Sequence, residues 1–264
     1  MRHISARHCV PSVVVSLAMV AASARAEEIP FGVVADWQYY NNTGWNFLNR
    51  GQYDKAEDRF RRAIEIIRPY TKQDQWMLAR SYADIAQVFY HQGRYADAEP
   101  LARWALSVRE AHPRGKPDDI FRSLYTLALI HRAQDHFNQA EPLLRRALEI
   151  QEKEIGPNHI HTAATVDELA DVCAEQRKFR DAELLYKRAM SIYQRITPDE
   201  NLELAGCAER YAAMLERLDR KAEAAKLREQ ADRIRDTVET KTGLKRDTRP
   251  RPEFRGLERS KAGR

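Results

Sequence analysis

One spacing governs this chain: residues of like kind return every 42 positions between about 37 and 236. Tyr53, Tyr95, Phe137 and Phe179 fall in register, with Lys221 in the fifth slot. Ala56, Ala98, Ala140, Ala182 and Ala224 follow three residues later. Ala63, Ala105, Ala147, Ala189 and Ala231 form a second unbroken column, and Gly44, Ala86, Ala128, Ala170 and Ala212 a third made only of small residues. Ile66, Val108, Ile150, Ile192 and Ile234 give a longer apolar column. Such a period signals a solenoid, in which each unit buries its apolar face only against its neighbours.

Within a unit the pattern is helical twice over. Leu124, Leu127 and Ala128 mark one face at a spacing of three and four, and Leu143, Leu144, Ala147, Leu148 and Ile150 mark a second. Gly51 and Gly93 fit the left-handed position that closes a helix, and Asp135 takes the same slot in the third unit. Pro100 and Pro142 are expected in the first turn or so of the second helix, where no intrahelical acceptor is lost. Pro113, Pro117, Pro157 and Pro198 fall between units, where the chain must change direction. The alanine columns have a packing cause, because helix axes that approach to ~8–10 Å need small residues at the crossing. The aromatic column is expected to fill the wedge at each turn.

The reading is therefore all-α, about five helix-turn-helix units near 37–68, 78–111, 120–154, 161–195 and 202–238, with 27–36 as a short extension. With only 10 Gly and 11 Pro in 264 residues, breakers are scarce enough for such an array. Where inner units carry Leu144 and Leu148, the last carries Arg228 and Asp232, so 222–238 reads as a capping helix with one face to water.

The two ends read differently. Residues 1–26 have the parts of a secretory leader: Arg2 and Arg7, the apolar run Val10–Ala22, and the small pair Ala24 and Ala26 ahead of Glu27. Thirteen apolar residues are too short to span a membrane, which takes about 20. Cleavage near Ala26-Glu27 and a bacterial periplasmic or secreted product are expected. The tail Lys241–Arg264 holds nine basic and three acidic residues, whereas 27–240 holds 32 basic and 36 acidic. This basic tail reads as disordered, and docking on anionic lipid or polymer of the envelope is the alternative function. Nucleic acid is not expected as a partner. Cys207 aligns with Thr165 of the preceding unit, eight residues short of Cys173, an offset of about 12 Å at 1.5 Å per residue. No bridge is expected between them.

Gln92-Gly93-Arg94-Tyr95-Ala96-Asp97-Ala98-Glu99-Pro100-Leu101, together with the stretch from Gln139 to Ile150, resembles the tetratricopeptide repeat. More narrowly, it looks like the 42-residue variety of kinesin light chains and many bacterial repeat proteins. Gly156-Pro157-Asn158-His159 with Thr162-Ala163 is similar to that variety's linker. The resemblance implies a right-handed superhelical solenoid whose first helices line a concave face. It places Gln38, Asn41, Trp45, Arg80, Gln87, Tyr90, Arg122, Tyr125, Leu129, Arg132, Asp167 and Asp171 on that face as protein-binding residues. Grooves of this family often carry paired asparagines, which Asn41-Asn42 keeps and Ala83-Asp84, Tyr125-Thr126 and Asp167-Glu168 replace. A helix or a folded partner is then as admissible as a peptide.

Chemistry-bearing patterns are absent from the sequence. His159-Ile160-His161 has no acidic or cysteine partner at matching spacing, and no nucleophile motif, phosphate loop or dinucleotide fingerprint occurs. No catalytic residue, no metal and no cofactor is expected. Trp104 stands where other units carry Arg146 and Arg188, and is exposed or core, with core favoured. The expected function is an exported, non-enzymatic scaffold that holds a protein or peptide in its concave face.

Overall fold

Among the described residues ten α-helices follow one another as five antiparallel hairpins: α1 (Phe31–Asn49) with α2 (Tyr53–Ile67), α3 (Trp76–His91) with α4 (Tyr95–Ala111), α5 (Pro117–Ala133) with α6 (Phe137–Glu154), α7 (Ile160–Glu175) with α8 (Phe179–Ile196), and α9 (Leu202–Arg217) with α10 (Lys221–Thr242). The computed structural model describes residues 29–70, 72, 75–111, 116–196 and 201–242. The leader read at 1–26 lies outside them, as does the tail beyond Thr242. Each helix packs on the next in chain order, and no strand occurs among the described residues. Nor is any described helix long and apolar enough to cross a membrane.

The alanine columns sit where helices touch. All ten residues of the two unbroken columns, Ala56 to Ala224 and Ala63 to Ala231, have no solvent exposure, and neither do Ala86, Ala128, Ala170 and Ala212. Gly44 replaces alanine in the first unit for a local reason. A Cβ there would stand 2.6 Å from Cε1 of Phe60, a ring with no exposure. Across from Ala86 the same slot holds Ala102, and across from Ala128 it holds Leu144.

Turns between the paired helices repeat one geometry. Gly51 (φ 69°), Gly93 (75°), Asp135 (61°), Arg177 (60°) and Asp219 (60°) all adopt the left-handed conformation, 42 residues apart. In the first turn the Gly51 amide donates to the Leu48 carbonyl at 2.9 Å and the Gln52 amide to Phe47 at 2.9 Å, and the other four turns repeat this pairing. Those two bonds cap orphan carbonyls at the helix end. Arg177 and Asp219 lack any glycine signal. The paired bonds hold them in a conformation that ordinarily costs an L-residue about 1–2 kcal/mol.

Two boundaries differ from the sequence reading. The array starts at Phe31, behind Pro30, so most of the expected extension is helix. Pro100 and Pro142 lie at the sixth residue of α4 and α6, deeper than the first turn. The Ala98 amide already bonds to Arg94, so each proline forgoes one helical bond. The wedge aromatics do bridge units: Tyr53 stacks on His91 at 5.5 Å, and Phe179 lies beneath Arg217 at 5.4 Å.

Cys173 and Cys207 are free and buried. Burial pushes the Cys173 thiol up to about 11 and that of Cys207 well above its usual range, which leaves both unreactive at neutral pH. Trp104 is half-buried, edge-on to Tyr82 at 5.2 Å. Arg228 and Asp232 on α10 face solvent.

Enlarging a crossing should strain it. Ala147→Leu is expected to cost about 1–3 kcal/mol by overpacking. Gly44→Ala should also destabilise, although alanine is the better helix former, and adding Phe60→Leu should recover part of the loss. Thermal melts read by circular dichroism check both, and unchanged midpoints would contradict the packing.

Candidate functional site

First helices form the inner layer of the array. α3 packs on α5 and α7 on α9 across alternate positions, while the main contacts of the second helices are with the helices adjacent in the chain. Arg122 on α5 even reaches back two units, its guanidinium 5.1 Å from the centre of the Trp45 ring on α1.

The expected lining residues fall into two sets. Gln38 and Arg122 are exposed, and Trp45, Arg80, Gln87, Tyr125, Leu129 and Arg132 are half-buried. Asn41, Tyr90, Asp167 and Asp171 are buried instead. Asn41 shows the cause. Its Nδ2 donates to the Trp37 carbonyl at 3.0 Å and lies 3.4 Å from Ser81 Oγ, which also accepts from Trp37 Nε1 at 2.9 Å. That asparagine seals the joint between the first two units and is not presented to a ligand.

Charge divides the inner face. Toward the C-terminal end, Arg132 pairs with Glu168 at 2.9 Å and Asp171 at 3.1 Å. Arg210 pairs with Asp167 and, at 3.2 Å, with Asp171, which also accepts from the Tyr186 hydroxyl at 2.5 Å. Desolvation pushes Asp167 up to about 6, against the pull of Arg210. Two arginines against three carboxylates leave this end close to self-compensated.

Toward the N-terminal end the balance reverses. One buried carboxylate, Asp84, stands among Arg80, Arg109 and Arg122, and burial pushes it up to about 6 despite those cations. Arg109 is spent on structure, donating to Ser123 Oγ at 2.5 Å and to the Asp119 carbonyl at 3.0 Å. Arg80 lies 5.7 Å from the Trp37 ring and 5.9 Å from Trp76. Among the described residues neither Arg80 nor Arg122 has a carboxylate within ion-pair distance. Two guanidinium groups on tryptophan faces thus remain available to an anionic ligand.

A polar column went unread in the sequence, although the 42-residue step reveals it. Glu57, Glu99, Glu141 and Glu183 occupy one position on successive second helices. Each meets a base one turn ahead on its own helix: Arg61 at 2.5 Å, Arg103 at 2.5 Å, Arg145 at 2.7 Å and Lys187 at 2.6 Å. Three also reach the turn of the next unit, through Arg94 at 3.4 Å, Lys178 at 2.5 Å and Arg220 at 2.6 Å. The corresponding residue for Glu99 is His136, and one donor atom from each of Glu99, His131 and His136 lies within 4.8 Å of the others. His159, by contrast, caps α7 through Nδ1, which accepts from the His161 amide at 3.2 Å.

The fold has known counterparts. A tetratricopeptide repeat profile matches residues 40–111 and 119–195, more than half of the chain. The chain belongs to the tetratricopeptide repeat family. No curated protein matches it in sequence. Among solved structures it is similar to BtubC (BKLC) from P. vanneervenii, with a TM-score of 0.68 and 21% identity over 90% of this chain and 96% of that one. It is also similar to the nearly identical kinesin-light-chain repeats of Podosopora anserina, at 0.62 and 18% over 76% and 95%. A Rap protein complexed with competence and sporulation factor follows at 0.60 and 16%, over 84% of this chain and 60% of that one. At these identities the likeness is one of fold, and the tetratricopeptide fold is a protein-interaction scaffold.

The glutamate joints carry a pH signature. Burial raises the Glu141 carboxyl, but hydrogen bonds from Lys178, Arg145 and Gln176 outweigh it and hold the group at about 2, below its ordinary 4.5. Its contribution is complete above pH 4.5 and fades as pH falls toward 2. Glu141→Gln should therefore cost about 1–2 kcal/mol at pH 7, with the gap to the parent closing in acid. Melts across that range check it, and a gap as wide at pH 2 as at pH 7 would contradict the assignment.

Proposed function

We propose that this chain is an exported, non-enzymatic scaffold that holds an acidic protein or peptide segment along the N-terminal half of its inner face. The observation that carries the reading is the pair Arg80 and Arg122, set over Trp37, Trp76 and Trp45 with the buried Asp84 nearby but, among the described residues, no carboxylate within ion-pair distance. Arginine and aromatic groups brought together in this way are the usual anchors of recognition. Gln38, Gln87, Tyr125 and Leu129 border them with accessible polar and apolar surface. Support for a non-catalytic role comes from the family, whose members are generally scaffolds, and from the buried, high-pKa cysteines.

Export rests on the basic start, the 13-residue apolar run and the small residues ahead of Glu27, and places the scaffold in the periplasm or outside the cell. The basic stretch after α10 favours a second contact, with anionic envelope material.

The inner face is tested by crosslinking the protein in its native envelope and identifying the captured partner by mass spectrometry. Arg80→Glu with Arg122→Glu should abolish capture of that partner while far-ultraviolet circular dichroism stays unchanged. Undiminished capture of the same partner by the folded double variant would reject this face.

A further inference from the structure

Three of the four joints between units use a permanent cation to reach the glutamate column: Arg94 to Glu57, Lys178 to Glu141, and Arg220 to Glu183. The joint between the second and third units departs from this rule twice. His136 stands in the cation's slot. His131 stands in a slot that other units fill with Phe89, Cys173 and Leu215. An imidazole in an otherwise apolar column needs a reason, because its polar atoms must be satisfied or bear a cost.

Both departures converge on one spot. His131 is 2% exposed, and its Nδ1 has no hydrogen-bond partner. The rings of His131 and His136 lie 6.0 Å apart, and the Glu99 carboxylate completes a triangle whose donor atoms are within 4.8 Å of one another. His136 is exposed and Glu99 half-buried, so an ion can reach the triangle from solvent. Arg103 holds Glu99 Oε1 at 2.5 Å, and Gln134 also donates to this carboxylate. An ion in the triangle would share this carboxylate with Arg103 and Gln134.

We infer that Glu99, His131 and His136 form a binding site for one borderline transition-metal ion of the zinc type. Two imidazoles and a carboxylate suit Zn2+, Ni2+ or Cu2+, whereas Mg2+ and Ca2+ prefer oxygen ligands. The donors come from α4, from the end of α5 and from the turn that precedes α6. A bound ion would tie the second unit to the third at the one joint where the glutamate lacks its permanent cation, with water in the fourth position. Sequence spacing hides such a site, because Glu99 is 32 residues from His131 and belongs to the preceding unit.

The test is calorimetric titration of chelator-stripped protein, free of any histidine tag, with ZnCl2, alongside Co2+ absorption as a report on coordination. The parent should bind one equivalent and melt at a higher temperature with Zn2+ present. His136→Ala removes an exposed ligand, and His131→Leu installs the residue found at this column in the last unit. Each should weaken binding by about 100-fold or more and erase the thermal shift while leaving helicity intact. His159→Ala with His161→Ala should bind as the parent does. Absence of a stoichiometric heat, binding that survives both single variants, or binding lost only with His159 and His161 would each overturn the site.

Discussion

Everything in this molecule depends on how closely two helices can approach where one of them presents a small side chain. Ala at three places per unit lets the helices of a hairpin meet, and lets the hairpin meet the next one. Those contacts fix the rotation from unit to unit and hence which helices form the inner layer. The first unit shows that volume at the crossing matters more than residue identity, since Gly44 admits the full ring of Phe60. The last shows the same from the other side, with Arg228 turned to water where no further unit follows.

Polar interactions act on top of this packing and differentiate the joints. The glutamate column repeats with the helices, but its partners change from arginine to histidine to lysine, and each joint acquires its own electrostatics. Charge on the inner face follows a similar logic. Arg132 and Arg210 are committed to Asp167, Glu168 and Asp171, so the C-terminal end is closed upon itself. Arg80 and Arg122 rest on tryptophan rings, and a partner's carboxylates can add to that contact without first breaking an ion pair.

Much of the fold was legible in the sequence, because a repeat states its packing five times over. Alanine in five of five copies means contact, and Gly51 and Gly93 announce the left-handed turn. Arg177 was illegible in that sense, since the two backbone bonds of the turn force the conformation without a glycine or an aspartate. Site residues read less well, for a related cause. The resemblance placed Asn41 on the inner face, but whether a side chain there meets solvent depends on what the next helix offers, and Ser81 offers a hydrogen bond. His131 and His136 gain meaning only when Glu99 is brought beside them from the unit before.

Cysteine placed singly at Ala56, Ala98, Ala140, Ala182 and Ala224, in a background whose own cysteines are replaced by alanine or serine, would test the crossing contacts directly. Maleimide labelling under native conditions should be negligible at all five sites and should rise together as the chain unfolds. Rapid labelling of the native protein at these positions would show that the alanines face solvent, and the account of the fold would fail with them.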